Sequence, residues 1–210
     1  MMKPCGMIAV LVATLLVLIA AGCGASDGTT TSTTSATTVP QTPATADEYD
    51  VYSALIQSAY IDATQPAQIV IQGTTVDPRL YSPRLATGAM KSSWPDLGDD
   101  ILSDFKAKNQ TSSALERTFT LSVPYTLISL QELASSFPPT APGWDKFYAK
   151  YPGSQGRLAL SRVGFNQAKD TAVLYTEYGR GATDGEGDVV LMKKTDGRWT
   201  VQGNSMIWQS

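Results

Sequence analysis

Three carboxylates alternate along a glycine-rich run near the C-terminal end of the sequence, and they are the strongest candidates for metal chemistry. Asp184, Glu186 and Asp188 lie in the stretch GRGATDGEGD, which covers residues 179–188. Hard cations such as Ca²⁺ prefer carboxylate oxygens, so the pattern predicts a cation site on a flexible turn. A solvated hairpin turn explains it equally, because the longer spacing and terminal glutamate of an EF-hand loop are missing.

Two other side chains are candidates for ligand binding without a metal. Arg180 stands between glycines at the start of the same run, where a guanidinium can hold an anion. Trp94 precedes a predicted helix and is the best candidate for an exposed, sugar-stacking ring among the four tryptophans. Trp199 and Trp208 are expected to pack among the C-terminal strands.

The composition excludes several classes of catalytic site. Histidine is absent, and Cys5 and Cys23 are the only cysteines. A Ser-His-Asp triad, a Cys-His pair and a cysteine/histidine zinc site therefore cannot be built from this chain alone. We predict no catalytic residue and no cofactor. An alternative is a hydrolase that uses carboxylates only, and Asp99, Asp100 and Asp104 lie together on a predicted helix.

The N-terminal residues have the pattern of an export signal. Lys3 precedes an apolar run over residues 7–21, which is too short to favour a membrane span. The sequence LIAAGC at 18–23 resembles the lipobox of bacterial lipoproteins, although alanine replaces the usual leucine at position 20. This resemblance implies that residues 1–22 are a signal peptide and that Cys23 is lipidated. An uncleaved anchor or a general secretion signal are the alternatives.

The segment that follows Cys23 has the composition of a flexible tether. Residues 24–46 are rich in threonine and nearly uncharged, and they lack the apolar content to fold. Similar tethers follow the lipidated cysteine in actinobacterial lipoproteins. The net charge of −3 argues against nucleic acid as a partner. The expected partners are a membrane, through the lipid, and an envelope protein or a glycan. The expected location is the extracytoplasmic side of the cell envelope.

Residues 47–210 are predicted to form a single α+β domain in which helices precede strands. A capping box of Thr45 and Glu48 opens the first helix, and Ser129 begins another capping box. Further helices are predicted over 97–108 and 143–150, a strand over 68–72, and an edge strand or extended segment over 119–129. Residues 73–95 are predicted to be a long connecting segment because they contain several prolines and glycines.

The C-terminal quarter predicts a four-stranded antiparallel meander on which the helices pack from one side. The strands are expected over residues 158–165, 171–178, 187–194 and 198–208, with turns at 166–170 and 179–186. Asp196 and Gly197 are a strong hairpin signal, because both residues accept positive φ.

The residues of this meander also carry a resemblance. The stretches 160–166, 172–175 and 196–199 resemble a group of uncharacterised bacterial secreted proteins with the same C-terminal meander. The resemblance implies a fold unit and no activity. Some members have cysteines in the glycine-rich turn, and this chain has none there, so no disulfide is implied.

Anchor and composition together favour a non-catalytic binding or interaction module at the cell envelope. The alternatives are the carboxylate-based hydrolase, with a glycosidase as an example, and an assembly partner that docks through residues 73–95.

Overall fold

The computed structural model describes residues 42–76, 83–137 and 143–210, and these belong to one compact unit. The predicted signal peptide, Cys23 and the tether up to residue 41 lie outside the described residues. Among the described residues, no helix is long and apolar enough to cross a membrane. The helices are α1 (Ala46–Leu55, continued by a π-helical segment, Ile56–Asp62), α2 (Pro83–Ser93), α3 (Asp99–Lys108), α4 (Leu130–Ser136) and α5 (Trp144–Lys150). The strands are β1 (Ile69–Gln72), β2 (Tyr125–Ile128), β3 (Arg157–Leu160), β4 (Gly164–Phe165), β5 (Thr171–Gly181), β6 (Asp184–Thr195) and β7 (Arg198–Gln209).

The strands form one mixed sheet, which confirms the α+β class. The strand order is β2-β1-β3-β5-β6-β7, with β4 paired to β5. The predicted C-terminal meander is present, but β1 runs parallel to both β2 and β3. The sequence indicated antiparallel pairing only, so this part of the prediction is corrected to a mixed sheet. The chain leaves β1 through α2 and α3 before it returns as β2, and a helical crossover of this kind joins parallel strands.

Helices cover both faces of this sheet, whereas the sequence predicted one covered face. Ala172 and Leu174 of β5 pack in a cluster with α1, and Val173 and Tyr175 pack in a second cluster with α2 and α3. All four side chains are buried. A continuous apolar run is typical of a strand that is buried on both sides, and this explains the difference.

The predicted connecting segment over 73–95 contains helix α2, so that prediction is also corrected. Proline is favoured in the first turn of a helix, since the N–H that it lacks has no partner there. Ala86 and Met90, four residues apart, are fully buried against the second cluster. The helix is short and its buried stripe is narrow, which is why the prolines and glycines concealed it.

A buried ion pair ties α1 to the sheet. The Nε and Nη2 atoms of Arg162, between β3 and β4, donate to the two carboxylate oxygens of Glu48 at 2.7 Å each. Both side chains are almost fully buried, with 4% and 0% exposed. Burial opposes ionisation of Glu48, but hydrogen bonds from Arg162 and from the backbone N–H groups of Thr45 and Val163 lower its pKa. The pair is thus a fully hydrogen-bonded fork.

The same guanidinium also holds the first residues that the structure describes. Arg162 Nη1 donates to the carbonyl of Thr42 at 2.7 Å, and Nη2 donates to the carbonyl of Pro43 at 3.2 Å. The side chain of Asn109 in turn holds the backbone N–H and C=O of Arg162 at 2.8 Å and 3.0 Å. Residues 42–45, which the sequence assigned to the tether, are therefore bound to the folded body.

Glu48→Gln should lower the free energy of unfolding by about 3–5 kcal/mol, because it leaves the buried Arg162 charge without its partner. Since the pKa of Glu48 is lower in the folded state than its ordinary value of 4.5, its ionisation stabilises the protein above that value. This contribution is lost as the pH falls through the folded-state pKa. When urea unfolding is measured from about pH 7 down to about pH 3, the free energy of unfolding should fall less steeply in the variant than in the wild type.

The matched control is Asp47→Asn, one residue away. Asp47 pairs with Lys169 on the surface, where the two side chains are 43% and 65% exposed. Exposed pairs contribute little, so this variant should unfold nearly as the wild type does. Equal losses in the two variants would contradict the central role given to the buried pair.

Candidate functional site

The three predicted cation ligands lie on a strand and not on a flexible turn. Strands β5 and β6 extend to Gly181 and Asp184, so the hairpin between them is much shorter than the predicted turn over 179–186. Asp184, Glu186 and Asp188 therefore alternate along β6 and share one face of the sheet. Alternate acidic residues fit a strand as well as a turn, and the glycines between them occupy the opposite face.

An arginine already occupies the centre of this acidic group. Arg180 Nε donates to Asp184 at 2.9 Å and Arg180 Nη1 donates to Glu186 at 2.9 Å. Asp188 is 9% exposed, and burial followed by the charge of Glu186 raises its pKa, while a hydrogen bond with Asn204 opposes the rise. No group of three or more acidic, histidine or cysteine side chains among the described residues is arranged to hold a metal. Because Arg180 already pairs with two of the three carboxylates, the geometry does not favour a cation site here or an anion site at Arg180, and both stay predictions.

Trp94 lies beside a surface groove of about 460 Å³ that is also lined by Leu191 and Lys193. Its ring is half-buried and packs against β7, since a Cβ added to Gly203 would come within 3.4 Å of Trp94 Nε1. The ring thus contributes to the core and exposes only part of its surface. Its predicted role in ligand binding stays a prediction.

The acidic residues of α3 serve the neighbouring loop. Asp104 accepts a hydrogen bond from the backbone N–H of Phe165 at 2.8 Å, and Asp100 accepts one from Gln167 at 3.0 Å. The side chain of Asp99 is 93% exposed. Asp100 and Asp104 therefore hold the start of the β4–β5 connection, which is a structural role.

The most distinctive surface lies on the opposite face of the hairpin that β5 and β6 form. Gly179 on β5 pairs directly with Gly185 on β6, and Gly187 pairs with Glu177. These three glycines, which we call the glycine patch, carry no side chain on this face, and the side chain of Glu177 lies beside Gly187. Arg157 on β3 pairs with Gly179 and borders the patch. Glycines inside strands are typical of places where another group must approach the backbone closely.

One indole ring lies along this patch. A Cβ at Gly187 would overlap Trp208 Nε1, and one at Gly185 would come within 3.4 Å of Trp208 Cζ3. The two ends of the indole therefore rest on glycines two positions apart along β6. Trp208 is 39% exposed, so one face of the ring covers the glycines and part of the ring remains open to solvent.

An irregularity in β7 turns Trp208 to this face. Met206 pairs with Asp188 and Trp208 pairs with Gly187, so that Ile207 is an extra residue opposite the β6 strand. A β-bulge of this kind reverses the alternation of side chains beyond it. Met206 and Trp208 therefore lie on opposite faces, although their spacing in the sequence predicts the same one.

A second indole comes from α5 and covers the remaining glycine. Trp144 Cη2 would lie 3.3 Å from a Cβ at Gly179. The ring packs against Phe137, Phe147 and Tyr148, which fix its position. Two tryptophans from different elements are thus set over glycines that face each other across adjacent strands.

A chain of polar contacts runs beside the two rings. Trp208 Nε1 donates to the hydroxyl of Tyr175 at 2.6 Å, and this hydroxyl donates to Glu177 Oε1 at 3.1 Å. Glu177 Oε2 lies 4.0 Å from Arg157 Nη2, and Arg157 Nη1 donates to Gln72 at 2.6 Å. We call these five residues the polar row. It joins side chains from four strands, β1, β3, β5 and β7.

Partial burial shifts the pKa values of two groups in the polar row. The side chains of Arg157 and Glu177 are 20% and 21% exposed. Burial lowers the pKa of Arg157, and the charge of Glu177 opposes that change. Burial and then the charge of Glu177 raise the pKa of Tyr175 well above its usual range. The tyrosine therefore stays a neutral hydroxyl that orients Trp208 and Glu177.

The arrangement suits binding better than proton transfer. A flat apolar ring stands beside fixed donors and acceptors, as in sites that bind small polar molecules. Among the described residues, the side chain of Glu177 contacts a hydroxyl and a guanidinium, and neither can act as the second carboxylate of an acid–base pair.

Comparison with known proteins does not extend this assignment, since no family model, curated protein or solved structure matches the chain.

Sequence reasoning missed Arg157, Tyr175, Glu177 and the pairing partners of Trp208. One signal was available, because Tyr175 and Glu177 alternate along the strand predicted over 171–178 and so share a face. The cross-strand partners were not accessible, since they depend on the register of three strands.

Gly187→Ala should destabilise the protein and displace Trp208, because its Cβ would overlap the indole and come within 2.6 Å of the Tyr175 hydroxyl. The change should appear as a lower urea midpoint and an altered tryptophan emission. Gly88→Ala is the control, since Gly88 is exposed on α2 with nothing within 4 Å of an added Cβ. That change should stabilise the helix by up to about 1 kcal/mol. A stable Gly187→Ala variant with unchanged emission would contradict the contact.

Proposed function

We propose that this chain is a lipid-anchored extracytoplasmic module that binds a ligand on the sheet face carrying Trp208 and does not transform it. The observation that carries the proposal is the fixed position of the partly exposed Trp208 ring. Gly185 and Gly187 lie beneath it, and the hydroxyl of Tyr175 accepts a hydrogen bond from its Nε1 at 2.6 Å. A group ordered in the free protein loses little entropy on binding, which favours affinity.

The anchor is supported by the N-terminal sequence, and a tether after it is compatible with the contacts of the first described residues. The lipobox-like sequence ends at Cys23, and Arg162 holds the carbonyls of Thr42 and Pro43 against the body. The residues between positions 23 and 42 would span roughly 25 Å as a flexible chain. Such a tether lets the domain reach ligands near the membrane without fixing its orientation.

Cys23→Ser should release the chain from the membrane fraction, because the thiol is the acceptor of the lipid. Mass spectrometry of the wild type should show a mature N-terminus at Cys23 that carries acyl chains. Cys5→Ser is the control, since this cysteine lies within the proposed signal peptide and should not alter anchoring. Recovery of the Cys23→Ser variant in the membrane fraction with normal processing would refute the lipid anchor.

A carboxylate-based hydrolase is the second candidate, and Asp188 is the observation in its favour. Its buried carboxyl has a raised pKa beside Glu186, as a general acid requires. The two residues lie about 7 Å apart along the strand by its regular rise, which is near the lower end of the separation in inverting glycosidases. Hydrogen bonding of Glu186 to Arg180 weighs against a free catalytic base.

The two candidates differ in one measurable result. A binding module should release no reducing sugar from bacterial cell-wall preparations. A hydrolase should release it at a rate that Asp188→Asn abolishes. Sugar release that depends on Asp188 would replace the binding proposal with the hydrolase.

A further inference from the structure

We infer that the ligand of the Trp208 face is a neutral oligosaccharide, stacked on Trp208 and hydrogen-bonded to Glu177 and Arg157. This inference rests on the proposed binding function and names its ligand class. The geometry that leads to it is an open indole ring, locked in place, with one carboxylate and one guanidinium at its side.

Sugar rings have the chemistry that this surface complements. A pyranose has a face of C–H groups and an edge of hydroxyls, each both a donor and an acceptor. The C–H face fits the flat, electron-rich face of an indole. The hydroxyl edge fits Glu177, which accepts hydrogen bonds, beside Arg157, which donates them.

The exposure of Trp208 separates it from a tryptophan of the core. Trp199, nine residues earlier on the same strand, is only 8% exposed and packs against Phe165. Trp208 is 39% exposed although its strand, its bulge and its hydrogen bond all fix its position. A ring that is held rigidly and keeps open surface can contact a ligand at little cost in conformational entropy.

The charges beside the ring favour a neutral ligand. Glu177 lies 4.0 Å from Arg157, so each charge offsets the other. A free arginine would select an anion, and a free carboxylate would select a cation. The balanced pair offers hydrogen bonds in both directions without net charge, which suits hydroxyl groups.

The second indole extends the platform beyond one sugar. Trp144 lies over Gly179, which is directly opposite Gly185 under Trp208. Adjacent strands are about 4.8 Å apart, a distance comparable to the length of one sugar unit. Consecutive units of an oligosaccharide can therefore contact the two rings.

The test uses the full chain purified in detergent and an array of immobilised bacterial cell-wall oligosaccharides with neutral pyranose units. Wild-type protein should bind members of the array. Titration calorimetry with the free form of the best-bound oligosaccharide should show at least a tenfold loss of affinity in Trp208→Ala, as expected for a central aromatic contact. Trp144→Ala should lose affinity for longer oligosaccharides more than for monosaccharides.

Met206→Ala is the matched control. Met206 is 53% exposed on the same strand, but the bulge places it on the opposite face. Its loss should leave the affinity unchanged. If Trp208→Ala does not fold, Glu177→Gln is the variant to measure, because it keeps the shape of the side chain. It should also lower the affinity at least tenfold.

Absence of binding to every oligosaccharide would overturn the inference, as would an unchanged affinity in both Trp208→Ala and Glu177→Gln. Membrane fractionation of the same preparations separates this failure from that of the proposed function. If the chain is lipidated but binds no oligosaccharide, only the inference of a sugar ligand is refuted. If Cys23 carries no lipid, the proposed anchor is refuted whether or not the chain binds sugars.

Discussion

The buried pair of Glu48 and Arg162 is the interaction on which the rest of the fold depends. It joins the start of α1 to the segment between β3 and β4, and Asn109 adds the end of α3 to the same network. Breaking such a pair leaves a charge in the interior, so the network holds only when every partner is present. It also attaches residues Thr42 and Pro43, where the proposed tether would pull on the domain.

With α1 fixed in this way, one sheet has to serve two layers of helices. Most of β5 is buried on both faces, and its apolar side chains alternate between the two clusters. Towards its C-terminal end the apolar residues give way to Glu177 and Gly179, which face the same side as Tyr175. The sheet thus passes from a packed core to the polar row and the glycine patch within a few residues. The site lies beside the packed part of the sheet, and the rigid strands keep its geometry.

Much of the local structure could be predicted from the sequence. The hairpin at Asp196 and Gly197 forms as expected, with φ values of 51° and 79°. Glu48 bonds the backbone N–H of Thr45, and Ser129 caps α4. These features depend on residues at most three positions apart, so their signals are intact in a single sequence. Helix α2 was missed because its buried stripe is short, and the second covered face was missed because periodicity does not report which elements approach a strand.

By itself the sequence determined which chemistry is unavailable, because the lack of histidine and the scarcity of cysteine hold for any fold. It also determined the meander and the α+β class, since alternation and turn residues act locally. Two features are seen only in the folded chain: Glu48 meets Arg162, 114 positions away, and a bulge turns Trp208 onto the glycine patch beside Glu177. Contacts of this kind depend on strand register and helix docking, which many distant residues set together, and no short pattern in the chain encodes them.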